Sequence, residues 1–301
     1  MIKTLVFNLS EIIPYINWTY FFFAWKIDAT LSSVINIPKD KRNLWIKSLP
    51  QRLQGQAKEA ALLYDEASYL LQNELSGHRT LARFGLFPAK SEMDNIYILN
   101  SQEQSICIPC LRQQHYSEQG PNLCLSDFIN PDKDYIDTIG IFVATVKSAP
   151  SIMKNDKEPY KDLITQVLYD RFAEATCERM HELVRKKYWG YVPNENLKIK
   201  ELHIEKFQGI RPAIGYPSLP DQSVNFIIND ILHFSDLGIQ LTENGAMLPH
   251  ATVCGLMISH PKAHYFSIGE IAKDQLEDYA KRRGFSTEVA KKFLGANIYN
   301  I

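Results

Sequence analysis

The sequence predicts an α+β fold in a single domain spanning residues 1–301. Segments with helical and strand patterning follow one another without regular alternation, which argues against a doubly wound sheet. The chain is 45% hydrophobic and 22% charged over its 301 residues, enough for a full apolar core. No internal repeat, low-complexity tract or Pro/Gly-rich linker divides it.

From Gln51 to Leu75, Leu53, Ala57, Ala60, Leu63, Ala67, Leu70 and Leu71 recur at the three-and-four spacing of an amphipathic helix. A short strand follows at Ile96 to Leu99. The run Ile139-Gly140-Ile141-Phe142-Val143, between Tyr135 and Val146, reads as a buried strand closed by Pro150. The longest helix begins near Pro159 and carries Leu163, Val167, Phe172, Met180 and Val184 to about Tyr188. Asp170, Glu174, Glu178 and Arg185 fall on its other face. A helix over Val224 to Phe234, a turn at Asn244-Gly245, strands at Val253 to Ile258 and Tyr265 to Ile268, and two C-terminal helices complete the pattern.

The 33 Lys+Arg nearly balance the 34 Asp+Glu, and no block of like charge appears, so a polyanionic partner such as nucleic acid is not expected. The aromatic stretch Met1 to Ile27 is interrupted by Asn8, Ser10, Glu11, Pro14, Asn17 and Lys26, too soon for a membrane span, and it lacks the pattern of a signal peptide. The five cysteines, at 107, 110, 124, 177 and 254, favour reduced thiols in the cytoplasm. Cys107, Cys110, His115 and Cys124 can be drawn as a metal site, but the paired spacing of a zinc ribbon is missing, and buried or loop thiols are the default; no metal is expected. His181, His260 and the other histidines read as structural, since no helical His pair supports a metal.

No Gly-rich phosphate loop and no Gly-x-Ser-x-Gly elbow is present. The chemistry instead gathers between Glu205 and Asp221, where three prolines (Pro212, Pro217, Pro220) and two glycines (Gly209, Gly215) forbid helix or central strand. Such an extended loop can present main-chain groups to a ligand.

Within it, Arg211-Pro212-Ala213-Ile214-Gly215-Tyr216-Pro217-Ser218-Leu219-Pro220-Asp221 resembles the signature of the S-adenosylmethionine-binding activation domain of cobalamin (vitamin B12)-dependent methionine synthase. Further matches run in order over almost the whole chain. They include Trp18-Thr19, Gly85-Leu86-Phe87-Pro88-Ala89, Cys124-Leu125-Ser126-Asp127-Phe128, Asp170-Arg171-Phe172-Ala173-Glu174-Ala175, Trp189-Gly190-Tyr191, Leu241-Thr242-Glu243, His260-Pro261, Tyr265-Phe266 and Tyr279-Ala280. The resemblance implies a bent, mainly antiparallel sheet flanked by helices. It implies a site made of Asn17, Glu205, Arg211, Ala213, Gly215, Tyr216, Tyr265 and Phe266.

That set suits the ligand's chemistry. Arg211 offers a planar fork to the carboxylate. Glu205 can pair with the ammonium, and Ala213 and Gly215 leave the backbone room for close approach. Tyr216, Tyr265 and Phe266 present aromatic faces to adenine or sulfonium. Taken alone, Arg211 reads as a structural ion-pair residue, and of the adjoining Tyr265 and Phe266 one faces the core if they lie in a strand. Asp170 and Glu174, one turn apart, form a solvated face by default; the resemblance instead turns them toward a cobalamin-carrying domain.

Two positions depart from the family pattern. Asn17 stands where an Asp is usual, a loss of ~1 kcal/mol of charge-assisted bonding to the ligand's amino group, and Gln222 stands where a His is common. The implied function is reductive methylation of cob(II)alamin, a reactivation step in methionine biosynthesis. The chain has no acid–base dyad and no room for the other methionine synthase modules, so it is expected to act in trans on a separate cobalamin-binding subunit, with a flavodoxin-like or other low-potential electron donor. Alternative roles are a non-catalytic docking or regulatory module, or an activator of another corrinoid methyltransferase.

Overall fold

The computed structural model describes residues 1–99, 105–114, 120–132, 134–148 and 158–299. The chain opens with β1 (Ile2–Asn8), α1 (Leu9–Ile12), α2 (Trp18–Phe23), α3 (Arg42–Ser48) and α4 (Gln51–Asn73). The strands β2 (Arg79–Glu92), β3 (Asn95–Leu99), β4 (Ser105–Pro109) and β5 (Asp137–Lys147) come next. The helix α5 (Pro159–Leu183) runs on into a π-turn (Val184–Tyr188), and α6 (Ile199–His203) and α7 (Val224–Leu232) follow. The short strands β6 (Gln240–Leu241) and β7 (Met247–Leu248), then β8 (Thr252–Met257), α8 (Lys273–Arg283) and α9 (Thr287–Leu294) complete the order.

Five of the strands lie in the order β4-β3-β2-β5-β8, with β1 joining them as a further partner of β2. The pairings β2–β3 and β3–β4 are antiparallel, with Ala89 opposite Ile98 and Ile96 opposite Ile108, and the sheet as a whole is mainly antiparallel with flanking helices. The strand β2 carries Pro88, which has no N–H to give a ladder. Its β3 pairing begins only at Ala89, and the Met1 carbonyl takes the Leu86 N–H, so the proline falls between two partners.

Contacts gather into two compact units, one of residues 1–5, 82–143 and 180–301, the other of 6–81 and 144–179. In the first, Ile96, Ile98, Ile108, Ile139, Ile141 and Val143 of the strands pack with Val224, Ile228 and Leu232 of α7. A smaller cluster forms around Ile268, Ile271, Leu276, Tyr279, Ala290 and Leu294 where α8 and α9 meet. In the second, α4 buries Ala57, Ala60, Leu63, Ala67, Leu70 and Leu71, the face its spacing predicts. Trp18 meets Tyr64 of α4 edge-on at 5.1 Å, and Arg42 ion-pairs with Asp65.

Periodicity correctly predicts α4, β3, β5, α7, β8, the two C-terminal helices and the extent of α5, whose last turn to Tyr188 is however a π-turn, and the Asn244-Gly245 turn joins β6 to β7. The strand expected at Tyr265 to Ile268 is not formed. That stretch runs beside the Arg211 loop and makes a single ladder-like bond, from the Ile268 N–H to the Pro217 carbonyl at 2.9 Å. Pro150 and His115 lie outside the described residues. Among the described residues, no helix is long and apolar enough to cross a membrane.

Candidate functional site

Residues 210–214 add an irregular edge to β8. The Ile210 N–H and carbonyl exchange bonds with Ile258 (2.9 and 3.0 Å), the Pro212 carbonyl accepts from Leu256 N–H (3.0 Å), and Ile214 N–H donates to the Cys254 carbonyl (2.9 Å). Pro212 faces β8 opposite Leu256, where its carbonyl accepts but its missing N–H leaves one rung of the ladder unmade, so the pairing stays irregular. Ala213 stands opposite Gly255, where an added Cβ would run into the Pro212 carbonyl and come to 2.9 Å from the Ala213 Cα. This close approach is what a glycine allows.

The alternation of an antiparallel edge turns the main-chain groups of Arg211 and Ala213 away from β8. Both have takers. The Arg211 N–H donates to the Tyr265 hydroxyl at 2.9 Å, and the Ala213 carbonyl accepts from Tyr216 N–H at 3.3 Å. Gly215, at φ +87°, closes the turn by donating to the Leu219 carbonyl (2.8 Å), with the exposed Gln222 side chain passing beside it. The far end is anchored by buried Asp221, which accepts from Ser223 N–H (2.7 Å) and the Tyr279 hydroxyl (2.7 Å). Burial, and then the Asp221 carboxylate, push the Tyr279 phenol well above its ordinary pKa, so it stays a donor.

The Arg211 side chain turns toward the π-turn, where its Nη1 lies 3.0 Å from His181 Nδ1. The same nitrogen receives Arg185 Nη1 at 2.8 Å, and Arg185 is held by a two-pronged ion pair to Glu195, Nε–Oε2 2.9 Å and Nη2–Oε1 2.6 Å. The Phe207 ring caps this pair, its centroid 4.2 Å from the Arg185 Cζ. His181 is fully buried and held well below the ordinary imidazole pKa, first by burial and then by the two guanidiniums. An open pocket of about 430 Å³, lined by Val192, Asn194, Glu195, Lys206, Phe207 and Gln208, adjoins this group.

Residues 8–284 match the family model described as "Vitamin B12 dependent methionine synthase, activation domain". The chain belongs to this family. A solved structure titled "Crystal Structure of the MetH Reactivation Domain bound to AdoHcy" is 33% identical, superposes with a TM-score of 0.85, and covers 100% of this chain and 91% of its own. One activation-domain fold therefore spans both compact units.

Set against the activation-domain signature, the structure brings Arg211, Ala213, Gly215, Tyr216 and Tyr265 onto one edge segment. Tyr216 is 50% and Tyr265 37% exposed. Phe266 turns inward instead, packing on the strand core and the α8–α9 cluster, with its ring 6.3 Å from Phe128. The pair thus divides into one exposed residue and one packed against the core, although no strand is formed. Glu205 is exposed, in a left-handed backbone conformation (φ +58°) just after α6.

Three further candidates belong to the other compact unit. Asn17 is the N-cap of α2, its side-chain oxygen accepting from Thr19 N–H at 3.2 Å. Asp170 is exposed on α5 and Glu174 half-buried. Of the cysteines, Cys110, Cys124, Cys177 and Cys254 are buried, and a hydrogen bond with Cys124, together with burial, pushes the Cys110 thiol up. No group of three metal-ligating side chains occurs among the described residues.

The helical spacing puts Arg185 and Glu178 on one face of α5 with Asp170 and Glu174, and the structure does not leave that face solvated at these two. Both are buried, Arg185 completely. The reason is the π-turn, in which the Val184 carbonyl accepts from Trp189 N–H at 2.8 Å, five residues on, and the chain beyond folds back to set Glu195 and Phe207 over Arg185. His181, read as merely structural, stands beside the site's principal cation. Only the i, i+4 spacing of His181 and Arg185 hinted at this, and that spacing is common on helix surfaces.

Proposed function

We propose that the chain binds S-adenosylmethionine along the Arg211–Tyr216 edge and supports reductive methylation of cob(II)alamin on a separate cobalamin-binding part of methionine synthase. The observation that carries this reading is the bond from Arg211 N–H to the Tyr265 hydroxyl. It joins two candidate ligand residues 54 positions apart in sequence. The residues fit the ligand's groups: Arg211 presents a fork for the carboxylate, while Tyr216 and Tyr265 present exposed rings for adenine or the sulfonium. The relative whose title records AdoHcy, the demethylated form of the same ligand, supports the choice.

Bound S-adenosylmethionine supplies the methyl group. The chain's own part is to hold the amino-acid end and the ring so that the methyl is aimed and kept from water, which is catalysis by positioning. Asp170 and Glu174 offer carboxylates on α5 for contact with the cobalamin-carrying domain, and a low-potential donor of flavodoxin type supplies the electron. The test is calorimetry with S-adenosylmethionine on the wild type and on Arg211→Ala, followed by reactivation of an oxidised cobalamin-dependent methionine synthase. Binding that Arg211→Ala leaves unchanged overturns the site.

A second reading, a docking or regulatory module with no useful affinity for the ligand, is favoured by Asn17. Its oxygen is engaged in capping α2 and carries no charge. Stable co-purification with a cobalamin-carrying subunit, without measurable ligand binding, would select it.

A further inference from the structure

We infer that Gln113 is a positioning residue for Tyr265: its carboxamide ties the irregular stretch that carries the tyrosine to the Leu123 segment, and so sets where the ring and its hydroxyl meet the ligand edge. The inference rests on the ligand reading above, in which Tyr265 is a contact residue.

Because Tyr265 to Ile268 forms no strand, its main-chain groups must find partners one at a time. Two successive residues do so. The Ile268 N–H donates to the Pro217 carbonyl at 2.9 Å, which fastens the stretch to the Arg211 loop. The Ser267 carbonyl accepts from Gln113 Nε2 at 2.8 Å, which fastens it to a second segment.

Gln113 is half-buried and held at the other end of its carboxamide. Its Oε1 accepts from the Leu123 N–H at 3.0 Å, and its own N–H donates to the Leu123 carbonyl at 3.0 Å. Next to it, Arg112 and Cys124 form an antiparallel bridge, and the Arg112 guanidinium is gripped by Asp94 and Asp127. The base from which Gln113 reaches out is therefore firm. A carboxamide accepts and donates at once, whereas a carboxylate of the same shape only accepts.

Neighbouring glutamines use the same device farther along the chain. Gln114 Oε1 accepts from the Ala272 N–H at 2.8 Å, and Gln275 exchanges bonds with the Arg112 main chain at 2.6 and 2.8 Å. Those two fasten the start of α8. Gln113 acts nearer the ligand edge, at Ser267.

What it positions there is a ring 37% exposed, whose hydroxyl accepts from the Arg211 N–H at 2.9 Å. Phe266, packed on the core, sets the depth of the stretch, while the Gln113 and Pro217 ties set its course. A side chain left partly open to solvent takes much of its orientation from its backbone. Ordering that backbone in advance removes entropy that ligand binding would otherwise have to supply.

The test uses the whole chain as wild type, Gln113→Glu and Gln113→Met. The Glu variant keeps the acceptor for Leu123 and loses the donor to Ser267, and the Met variant keeps the length and loses both. Without ligand, exchange of the Arg211 amide should quicken about tenfold in both variants relative to the Ile210 and Ile214 amides, which bond β8. The Leu123 amide should quicken only in the Met variant. With S-adenosylmethionine, calorimetry should show binding weakened about tenfold in both, but less than about twofold when the same changes are made in Tyr265→Ala. An Arg211 amide that exchanges at the wild-type rate in the Glu variant overturns the inference. So does an affinity loss as large in Tyr265→Ala as outside it, since Gln113 would then act through another group. If one variant does not fold, the other decides by the same two criteria. If the wild type binds no S-adenosylmethionine, the ligand reading has failed, and the exchange comparison alone decides the positioning.

Discussion

Gly255 of β8 stands opposite Ala213 with the Pro212 carbonyl filling the space that any side chain on Gly255 would need. The glycine therefore sets how closely the Arg211 segment lies on the sheet.

Gly255→Ala should push that segment outward. A Cβ there meets backbone on the loop side and the Phe142 ring at 2.9 Å on the other, so neither neighbour can give way easily. The expected cost is about 1–3 kcal/mol, read as a lower urea midpoint, together with weakened S-adenosylmethionine binding. An unchanged midpoint would show that the loop tolerates displacement.

The Arg185–Glu195 pair is almost fully buried, so its halves should not be separable. Glu195→Ala leaves a guanidinium uncompensated and should cost about 3–5 kcal/mol. Arg185→Met with Glu195→Ala should recover much of the loss, because two charges leave the interior together. A double-mutant cycle by chemical denaturation measures the coupling, and additive single effects would contradict it.

Acidification should destabilise the fold through His181. The folded protein holds this imidazole well below the ordinary 6.5, by burial and by Arg185 and Arg211, whereas the unfolded chain titrates normally. Above about pH 6.5 neither state binds the proton and the group contributes no slope. Below it the unfolded state takes up a proton that the folded state refuses, so stability falls as pH falls, by up to ~1.4 kcal/mol per pH unit for the one proton. His78, lowered by burial, acts in the same direction. Urea midpoints between pH 7.5 and 5 should fall less steeply for His181→Asn than for the wild type, and equal slopes would count against the assignment.

Asn17→Asp should tighten S-adenosylmethionine binding by ~1 kcal/mol, roughly fivefold, by restoring a charged acceptor. An aspartate caps a helix as well as asparagine does, so α2 should be retained. Calorimetry showing equal or poorer affinity would remove Asn17 from the ligand site.

Elements with one clean apolar period were legible in the sequence, as with α4, whose buried face its spacing identifies, and β5, a continuous apolar run. The long strand β2 was not, because Gly85 and Pro88 punctuate it and only the handover between two partner strands makes the proline tolerable. The Arg211 loop was legible from its prolines as an extended, irregular segment, and the structure lays it along the edge of β8. Its support was hidden, since Arg185 reads as a surface charge until Glu195 and Phe207, distant in sequence, close over it. The expected Tyr265 to Ile268 strand shows the opposite error, in which strand-forming residues find a tyrosine hydroxyl bond and a core ring contact in place of a ladder.

The outward main-chain groups of Arg211 and Ala213 have one more consequence. A sheet that ends in unpaired N–H and C=O groups invites a second molecule to add its own strand and begin aggregation. Here the Tyr265 hydroxyl accepts from the Arg211 N–H and the Tyr216 N–H donates to the Ala213 carbonyl. Two of the outward groups on this margin are thus already engaged within the chain, which leaves fewer of them to template an added strand.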